Sequence, residues 1–274
     1  MKKLNCKLIV SDFDGTLIDD NQRVLPQVRE EINKYVENGG IFAVCTGRML
    51  RSILPQVRDL GLKGLVIANQ GSIIAEIESG KLIKRSGMQY TEIAEICNNI
   101  EELGQNVNVY ADNDLYSDIP KDNEYLQTYE RIIGVETIFV QGKMSDFITE
   151  NKIFAQKVSV LIAPEEREKL FEELKRRLGT RFDVTCSASV LVEVSPLTDN
   201  KGEALKFLAK KYGIPLELTV AAGDNLNDLS MVEVAGVGVA VGNAAPKLKE
   251  AAKFVSVTNN EGAIAQIIKK FGYA

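Results

Sequence analysis

Two carboxylates follow the first apolar run of the chain, because residues 8–10 lead directly towards Asp12 and Asp14. In open α/β sheets, ligands bind beyond the carboxyl ends of the strands. Carboxylates two positions apart can share a metal there while Phe13 points back into the core. The pair therefore indicates magnesium chemistry on an anionic substrate. A simple turn is the alternative, because Asp-Gly pairs are common turn signals and acidic residues stand at the ends of many strands without any catalytic or binding function.

A threonine and a glycine follow the next predicted strand. Thr46 and Gly47 come after the apolar run 41–45 and precede a helical pattern that extends to residue 59. A hydroxyl and backbone N–H groups at the start of a helix can hold a phosphoryl oxygen. Thr46 is equally expected as an ordinary N-cap of that helix. For the next residue, Arg48, a substrate contact and a surface salt bridge are equally good explanations.

A lysine opens the helix predicted at 202–212, where a cation is out of place. Asp199 and Asn200 are ordinary capping residues, but Lys201 puts positive charge at the positive end of the helix dipole. This mild destabilisation favours a functional role for the lysine. At this point it can neutralise both a nucleophilic carboxylate and a phosphoryl group during transfer.

An acidic loop follows the apolar strand predicted at 218–222. The loop contains Asp224, Asn227 and Asp228. Mg²⁺ accepts such hard oxygen and amide groups, and a small set of them leaves coordination positions for water and phosphate. Acidic loops are also common as solvated turns. In combination with the first carboxylate pair, this loop favours an Asp-rich magnesium site.

The composition excludes several other chemistries. The chain of 274 residues contains no histidine, which excludes Ser-His-Asp and Cys-His nucleophilic systems and His-ligated zinc. The 4 cysteines are scattered and form no C-x-x-C pair, so neither a zinc site nor a redox motif is expected. A net charge of -5 without a long basic run argues against nucleic acid as a partner.

No membrane partner is expected either. The apolar run after the basic first residues is too short for a signal peptide. No apolar stretch of the sequence approaches the roughly 18 residues of a membrane-spanning helix. The sequence therefore predicts a cytoplasmic protein. Its negative net charge is compatible with a small anionic substrate, because a local pocket can oppose the global charge.

The polar groups described above lie on a predicted parallel sheet. Apolar strands alternate with helical patterns between residues 8 and 68, and the same rhythm returns after residue 190. We therefore predict a doubly wound, Rossmann-like α/β core formed by residues 1–81 and 191–274. Residues 82–190 follow a different pattern and are predicted to form an inserted α+β cap domain.

The predicted cap contains both helices and strands. Helices are predicted at 91–103, 121–132 and 164–178, and strands at 107–110, 158–162, 182–185 and 190–194. The stretch 134–156 has no pattern that settles its structure, so no element is predicted there. Three basic residues of this region are predicted to be solvated charges and not ligands; they are Arg85, Arg131 and Lys157.

The four polar groups, taken in order, resemble the four motifs of the haloacid dehalogenase-like hydrolases. The insertion between the second and third groups, together with segments 237–244 and 258–263, is similar to the Cof-type subfamily with its large α/β cap. The resemblance covers nearly the whole chain. One departure lies at the predicted hinge between core and cap, where residues 69–72 read Asn-Gln-Gly-Ser in place of the Asn-Gly-Ala of many Cof-type members.

The resemblance implies a role for each residue of the four groups. Asp12 would be the nucleophile that forms an aspartyl-phosphate. Asp14 would be the general acid and base, with its backbone carbonyl on the metal. The implied groups around the phosphoryl are Thr46, Gly47, Lys201 and Asn227. The implied Mg²⁺ site consists of Asp12, Asp14, Asp224 and Asp228. Whether Asp228 binds the metal directly or supports the other ligands is left open.

The activity implied is Mg²⁺-dependent hydrolysis of small phosphomonoesters, with sugar phosphates, nucleotides and cofactor phosphates as the open substrate classes. The cap would close over the core, exclude water and set the specificity. A sugar-phosphate mutase is an alternative, and it would need a second anion site in the cap. A non-enzymatic, receiver-like phosphate sensor is another, although such modules lack the acid and base that Asp14 would supply.

Overall fold

The chain forms two compact units. The computed structural model describes residues 4–274, apart from the side chains of Ser187 and Ala188. The first unit contains the chain up to Gly47, Ile53–Arg85 and Asn200–Ala274; the second contains Arg48–Ser52 and Ser86–Asp199. In the described part of the chain, no helix has the length and apolar character needed to cross a membrane.

The strands and helices of the described residues are numbered in chain order. The strands are β1 Leu8–Asp12, β2 Ile41–Cys45, β3 Leu65–Ala68, β4 Ile73–Glu76, β5 Leu82–Arg85, β6 Asn108–Ala111, β7 Asp114–Ser117, β8 Ile138–Phe139, β9 Lys157–Leu161, β10 Phe182–Ala188, β11 Leu191–Pro196, β12 Thr219–Gly223, β13 Val237–Ala240 and β14 Phe254–Val255. The helices are α1 Pro26–Glu37, α2 Leu50–Asp59, α3 Tyr90–Glu102, α4 Glu124–Ile133, α5 Met144–Asn151, α6 Pro164–Leu178, α7 Lys201–Lys211, α8 Leu229–Val234, α9 Pro246–Ala251 and α10 Ala263–Ile267.

The first unit is built on a sheet with the strand order β14-β13-β12-β1-β2-β3-β4-β5. The strands from β14 to β3 run parallel, whereas β4 and β5 form an antiparallel hairpin at the edge. β1 lies between β2 and β12, with Leu8 in register with Ile41 and Thr219. The strand order reverses at this point, and ligands of doubly wound sheets bind beside such a reversal, beyond the carboxyl ends of the strands.

The central strands are held by apolar packing. β1 and β12 are buried along their whole length, as expected for strands of a parallel sheet that is covered on both faces. Leu205 and Leu208 of α7 share a hydrophobic cluster with Val10 of β1. This packing fixes the strand ends, and with them the polar side chains that follow each strand.

The second unit is built on a separate sheet with the strand order β10-β11-β9-β6-β7-β8. Ile96, Ile148 and Leu174, from α3, α5 and α6, pack with apolar residues of its strands. The prediction that Lys157 is a solvated charge is wrong, because its ammonium pairs with Glu193 and their side chains are only 4% and 2% exposed. Burial of an ammonium requires such a partner. The partner stands on another strand, so local sequence did not reveal it.

The predicted fold class, a doubly wound parallel core with an inserted α+β unit, is confirmed. Residues 134–156, for which no element was predicted, contain β8 and α5. The compact units divide after Arg85 and after Asp199, whereas the sequence placed the divisions at 81 and 190. The reason is sheet pairing, because β5 pairs with β4 in the core sheet and β11 pairs with β9 in the other sheet.

Candidate active site

The first carboxylate pair lies at a tight turn after β1. Asp12 is the last residue of the strand and is 6% exposed, and Phe13 is buried. The Ile18 N–H closes the turn by donating to the Phe13 carbonyl at 3.1 Å. Asp14 lies half-buried within the turn. Both acids therefore follow the carboxyl end of the central strand directly.

Lys201 reaches the same point from the start of α7. Asn200 caps this helix by accepting from the Glu203 N–H at 2.9 Å. The fully buried Lys201 ammonium donates to Asp12 Oδ1 and to Asp228 Oδ1, each at 2.5 Å. Two carboxylates thus compensate the unfavourable position of this cation at the positive end of the helix dipole.

The acidic loop after β12 completes a carboxylate cluster. Asp228 Oδ2 accepts from the N–H groups of Asp224 and Asn225, at 2.9 and 3.0 Å. Asp224 Oδ1 accepts from the Thr16 hydroxyl at 2.8 Å. One carboxylate oxygen from each of three residues lies within 4.8 Å of the other two, and these residues are Asp12, Asp224 and Asp228.

Burial and crowding shift the pKa values in this cluster. Burial raises the pKa of the Asp12 carboxyl well above its usual value, and the charges of Asp228 and Asp224 raise it further, against the opposing effect of Lys201. The pKa of Asp224 is also raised, first by burial and then by Asp228. Burial lowers the pKa of Lys201, but Asp12 and Asp228 raise it more, and the result is well above the usual value.

The charge balance of the cluster suits a divalent cation. Three carboxylates face the single ammonium of Lys201, so negative charge is in excess among these four side chains. Hard oxygen ligands of this kind are typical of magnesium sites. Burial is the first cause of the raised pKa of Asp12, and the excess negative charge adds to it because each carboxylate disfavours ionisation of its neighbours.

Thr46 lies at the carboxyl end of β2, beside β1. Its N–H donates to the Ile67 carbonyl at 2.8 Å, and α2 begins only at Leu50. Thr46 is therefore not the N-cap of this helix, and the alternative explanation of the Thr-Gly pair does not hold. Gly47 follows half-buried, whereas Arg48 belongs to the second compact unit.

Gln70 is a site residue that the sequence did not identify. Its N–H donates to the Thr46 carbonyl at 3.1 Å, and its Oε1 accepts from Asn227 Nδ2 at 3.4 Å. A Cβ on Gly47 would lie 2.7 Å from Gln70 Nε2. Gln70 is buried and has a left-handed φ of 58°. Such backbone strain is typical of functional sites, but it is visible only in the structure.

All eight predicted site residues lie in the first unit. Hydrogen bonds join the Lys201, Asp12 and Asp228 side chains directly, and Asp224 is joined through its N–H and through Thr16. Gln70 connects Asn227 with the Thr46 backbone, and its side-chain amide lies beside Gly47. Thr16, four residues after Asp12, also had no predicted role.

Comparisons with known proteins show the family of the chain. A family model described as haloacid dehalogenase-like hydrolase matches residues 9–268. The phosphatase YwpJ of Bacillus subtilis (strain 168) is 30% identical over 284 residues, which cover 96% of this chain and 99% of that protein. The 5-amino-6-(5-phospho-D-ribitylamino)uracil phosphatase YwtE of the same organism is 30% identical over 282 residues, or 96% of each protein.

A solved structure is similar over nearly the whole chain. A crystal structure of a protein from Thermotoga maritima is 31% identical, with a TM-score of 0.80 and coverage of 97% of each chain. The family match includes both units and every predicted site residue. The chain therefore belongs to the haloacid dehalogenase-like hydrolases.

Proposed function

We propose that the protein is a Mg²⁺-dependent phosphatase that hydrolyses small phosphomonoesters through an aspartyl-phosphate on Asp12. The observation that carries this proposal is the setting of the Asp12 carboxylate. One of its oxygens accepts from the Lys201 ammonium at 2.5 Å, and the carboxylates of Asp224 and Asp228 lie beside it at the end of β1. The names of the two Bacillus subtilis relatives, both phosphatases, support the same activity.

The carboxylate cluster fits a magnesium ion. Asp12 and Asp224 are the proposed side-chain ligands, with the Asp14 backbone carbonyl as a further ligand. When bound, Mg²⁺ would neutralise part of the negative charge that a phosphoryl group brings to this acidic site. Both oxygens of Asp228 already accept hydrogen bonds from the protein, so its proposed role is to hold Lys201 and the Asp224 loop.

Asp12 and Asp14 divide the chemistry between them. A carboxylate oxygen of Asp12 attacks phosphorus, the bond from phosphorus to the leaving oxygen breaks, and Asp14 donates a proton to that oxygen. Asp14 then removes a proton from a water molecule that attacks the same phosphorus. The bond between phosphorus and Asp12 breaks, which releases inorganic phosphate and restores both carboxyl groups. Carboxylic acids fill both roles, so the chemistry needs no histidine.

Four groups are proposed to hold the phosphoryl oxygens. Lys201 supplies a buried positive charge that already contacts the nucleophile. The Thr46 hydroxyl and the Gly47 N–H supply donors at the end of β2, and the Asn227 amide is oriented by Gln70. Fixed donors in a site with little water stabilise a transferring group more than the same donors in bulk water.

Small phosphorylated metabolites are the proposed substrates, with sugar phosphates, nucleotides and cofactor phosphates as the classes to test. The name of one relative, a phosphatase of a phosphoribitylamino-uracil, supports this size and chemistry. The second unit, formed mainly by Ser86–Asp199, is the proposed cap that sets the specificity.

A phosphate-release screen tests the proposed function. Purified protein with Mg²⁺ is incubated with a panel of phosphorylated metabolites, and inorganic phosphate is measured with and without EDTA. We expect release from at least one substrate class and loss of that release when EDTA removes the metal. Conversion of a hexose phosphate to its isomer without phosphate release would indicate a mutase instead. A long-lived phosphoprotein without turnover would indicate a phosphate sensor.

Gly15→Ala is expected to impair this activity and to lower stability. Gly15 has φ 76°, and a Cβ on it would lie 2.8 Å from Asp224 Oδ2. A left-handed backbone costs an alanine about 1–2 kcal/mol. The new methyl group also displaces a carboxylate of the cluster. We expect kcat to fall by about 100-fold and Tm by about 3–6 °C, measured by steady-state kinetics and thermal denaturation.

Gly104→Ala is the matched control. Gly104 has a similar φ of 71°, but a Cβ on it would meet no atom within 4 Å. This variant therefore carries the same backbone strain without a contact at the carboxylate cluster. Its Tm should fall by a similar amount while kcat stays at the wild-type value. A Gly15→Ala enzyme with wild-type kcat would contradict the proposed position of Asp224 in the site.

A further inference from the structure

A distant loop holds the turn that carries Asp14. Asn243, between β13 and α9, donates from Nδ2 to the Gly15 carbonyl at 2.8 Å. Its Oδ1 accepts from the Asn259 N–H at 3.0 Å. Both ends of one side-chain amide thus bind backbone groups, and these groups belong to loops that are far apart in the sequence.

Asn259 adds a second attachment to the same turn. Its Nδ2 donates to the Ile18 carbonyl at 3.0 Å and to Asp20 Oδ1 at 3.1 Å. Asn259 is 3% exposed and its contact with Ile18 is buried, whereas Asp20 is exposed. The turn is therefore held directly after Asp14, at Gly15, and again at Ile18.

The Gly15 attachment bears directly on Asp14. On the amino-terminal side, β1 and the Lys201 contact fix Asp12. On the carboxyl-terminal side, Asn243 anchors the Gly15 carbonyl. The next residue, Thr16, is anchored by the hydrogen bond from its hydroxyl to Asp224. Asn243 is exposed, so apolar packing does not account for its position.

We propose that Asn243 is a positioning residue, which fixes the turn so that Asp14 can protonate the leaving oxygen of the substrate. The inference rests on the proposed function and adds a residue outside the four sequence groups. Asn243 acts through the Gly15 carbonyl and does not contact substrate. Without the Nδ2 donor the Gly15 peptide gains freedom to rotate, and proton transfer suffers because it requires hydrogen-bond distance between the acid and the leaving oxygen.

Two aryl phosphates of similar size separate this role from a general structural one. p-Nitrophenyl phosphate has a leaving group that departs readily without a proton, whereas phenyl phosphate depends on the general acid. In Asn243→Asp and Asn243→Ala, kcat/KM for phenyl phosphate should fall by about tenfold or more, and that for p-nitrophenyl phosphate by less than about threefold. The aspartate variant keeps the acceptor for the Asn259 N–H and replaces the donor to Gly15 by a charged oxygen that cannot donate, whereas the alanine variant removes the donor without adding charge.

Asn260→Ala is the matched control. The exposed Asn260 binds Asp20 through both ends of its amide, farther along the chain from Asp14 than the Gly15 contact. This variant should hydrolyse both esters at wild-type rates, and thermal denaturation verifies that all variants are folded. Equal losses on the two esters in the Asn243 variants, or no loss on either, would overturn the proposal. Absence of phosphate release by the wild type from both esters and from the metabolite panel would instead refute the phosphatase function.

Discussion

Asp12→Asn is expected to reduce phosphate release by at least about 10⁴-fold. The asparagine side chain has nearly the same shape, and its amide oxygen can still accept from Lys201. The amide is a far weaker nucleophile than a carboxylate and cannot form the acyl phosphate. Single-turnover kinetics should show no burst of product, and mass spectrometry should detect no phosphoenzyme. Retention of more than about 1% of wild-type turnover would contradict the nucleophilic role.

The same substitution is expected to stabilise the metal-free protein at neutral pH. The pKa of Asp12 lies well above the usual value of an aspartate, first because of burial and then because of the charge of Asp228. A carboxyl whose folded-state pKa is raised binds protons more strongly in the folded state, so wild-type stability falls as pH rises from about 3.8 through the raised pKa. Asparagine does not titrate and removes this pH-dependent penalty.

Thermal denaturation in EDTA at several pH values tests the stability effect. The Tm difference between Asp12→Asn and wild type should be positive near pH 7 and should shrink towards acidic pH, where Asp12 of the wild type is protonated. In the variant, Lys201 retains Asp228 as its charged partner. A variant less stable than wild type near neutral pH would show that the Lys201 contact outweighs burial and carboxylate repulsion at this position.

The residues at strand ends could be predicted because topology concentrates them. Asp12, Thr46 and Asp224 each follow an apolar run, and the carboxyl ends of neighbouring parallel strands meet at one edge of the sheet. Lys201 was recognisable for a different reason, since a cation at a helix start conflicts with the helix dipole. In both cases a local pattern and a general rule were sufficient.

The residues that act from other loops could not be predicted in this way. Gln70 lies in segment 69–72 and Asn243 in segment 237–244, which the sequence marked only by comparison with a subfamily, and neither residue had a predicted role. Their roles depend on long-range contacts, such as the bond from Asn243 to Gly15 and that from Asn227 to Gln70. The buried position of Lys157 is the same kind of case, because Glu193 stands on another strand.

Lys201→Met is expected to remove activity and to destabilise the fold, in contrast to Asp12→Asn. The ammonium lies 2.5 Å from both Asp12 Oδ1 and Asp228 Oδ1 and has no solvent exposure. Methionine keeps a long chain and removes the charge, so two buried carboxylates face each other without it. We expect a loss of about 3–5 kcal/mol in the free energy of unfolding and a fall of about 10³-fold in kcat.

A double-mutant cycle in EDTA identifies the cause of this loss. If carboxylate repulsion is responsible, Asp12→Asn should stabilise the Lys201→Met protein by more than it stabilises the wild type, because only Asp228 then carries charge at the former ammonium position. Denaturant unfolding of the wild type, both single variants and the double variant gives the coupling free energy. If Asp12→Asn has the same effect on stability with and without Lys201, the destabilisation arises from packing of the methionine and not from charge. Lys201 opposes the burial and the carboxylate charges that raise the pKa of Asp12, so charge coupling between the two residues would favour the ionised form that the proposed nucleophile requires.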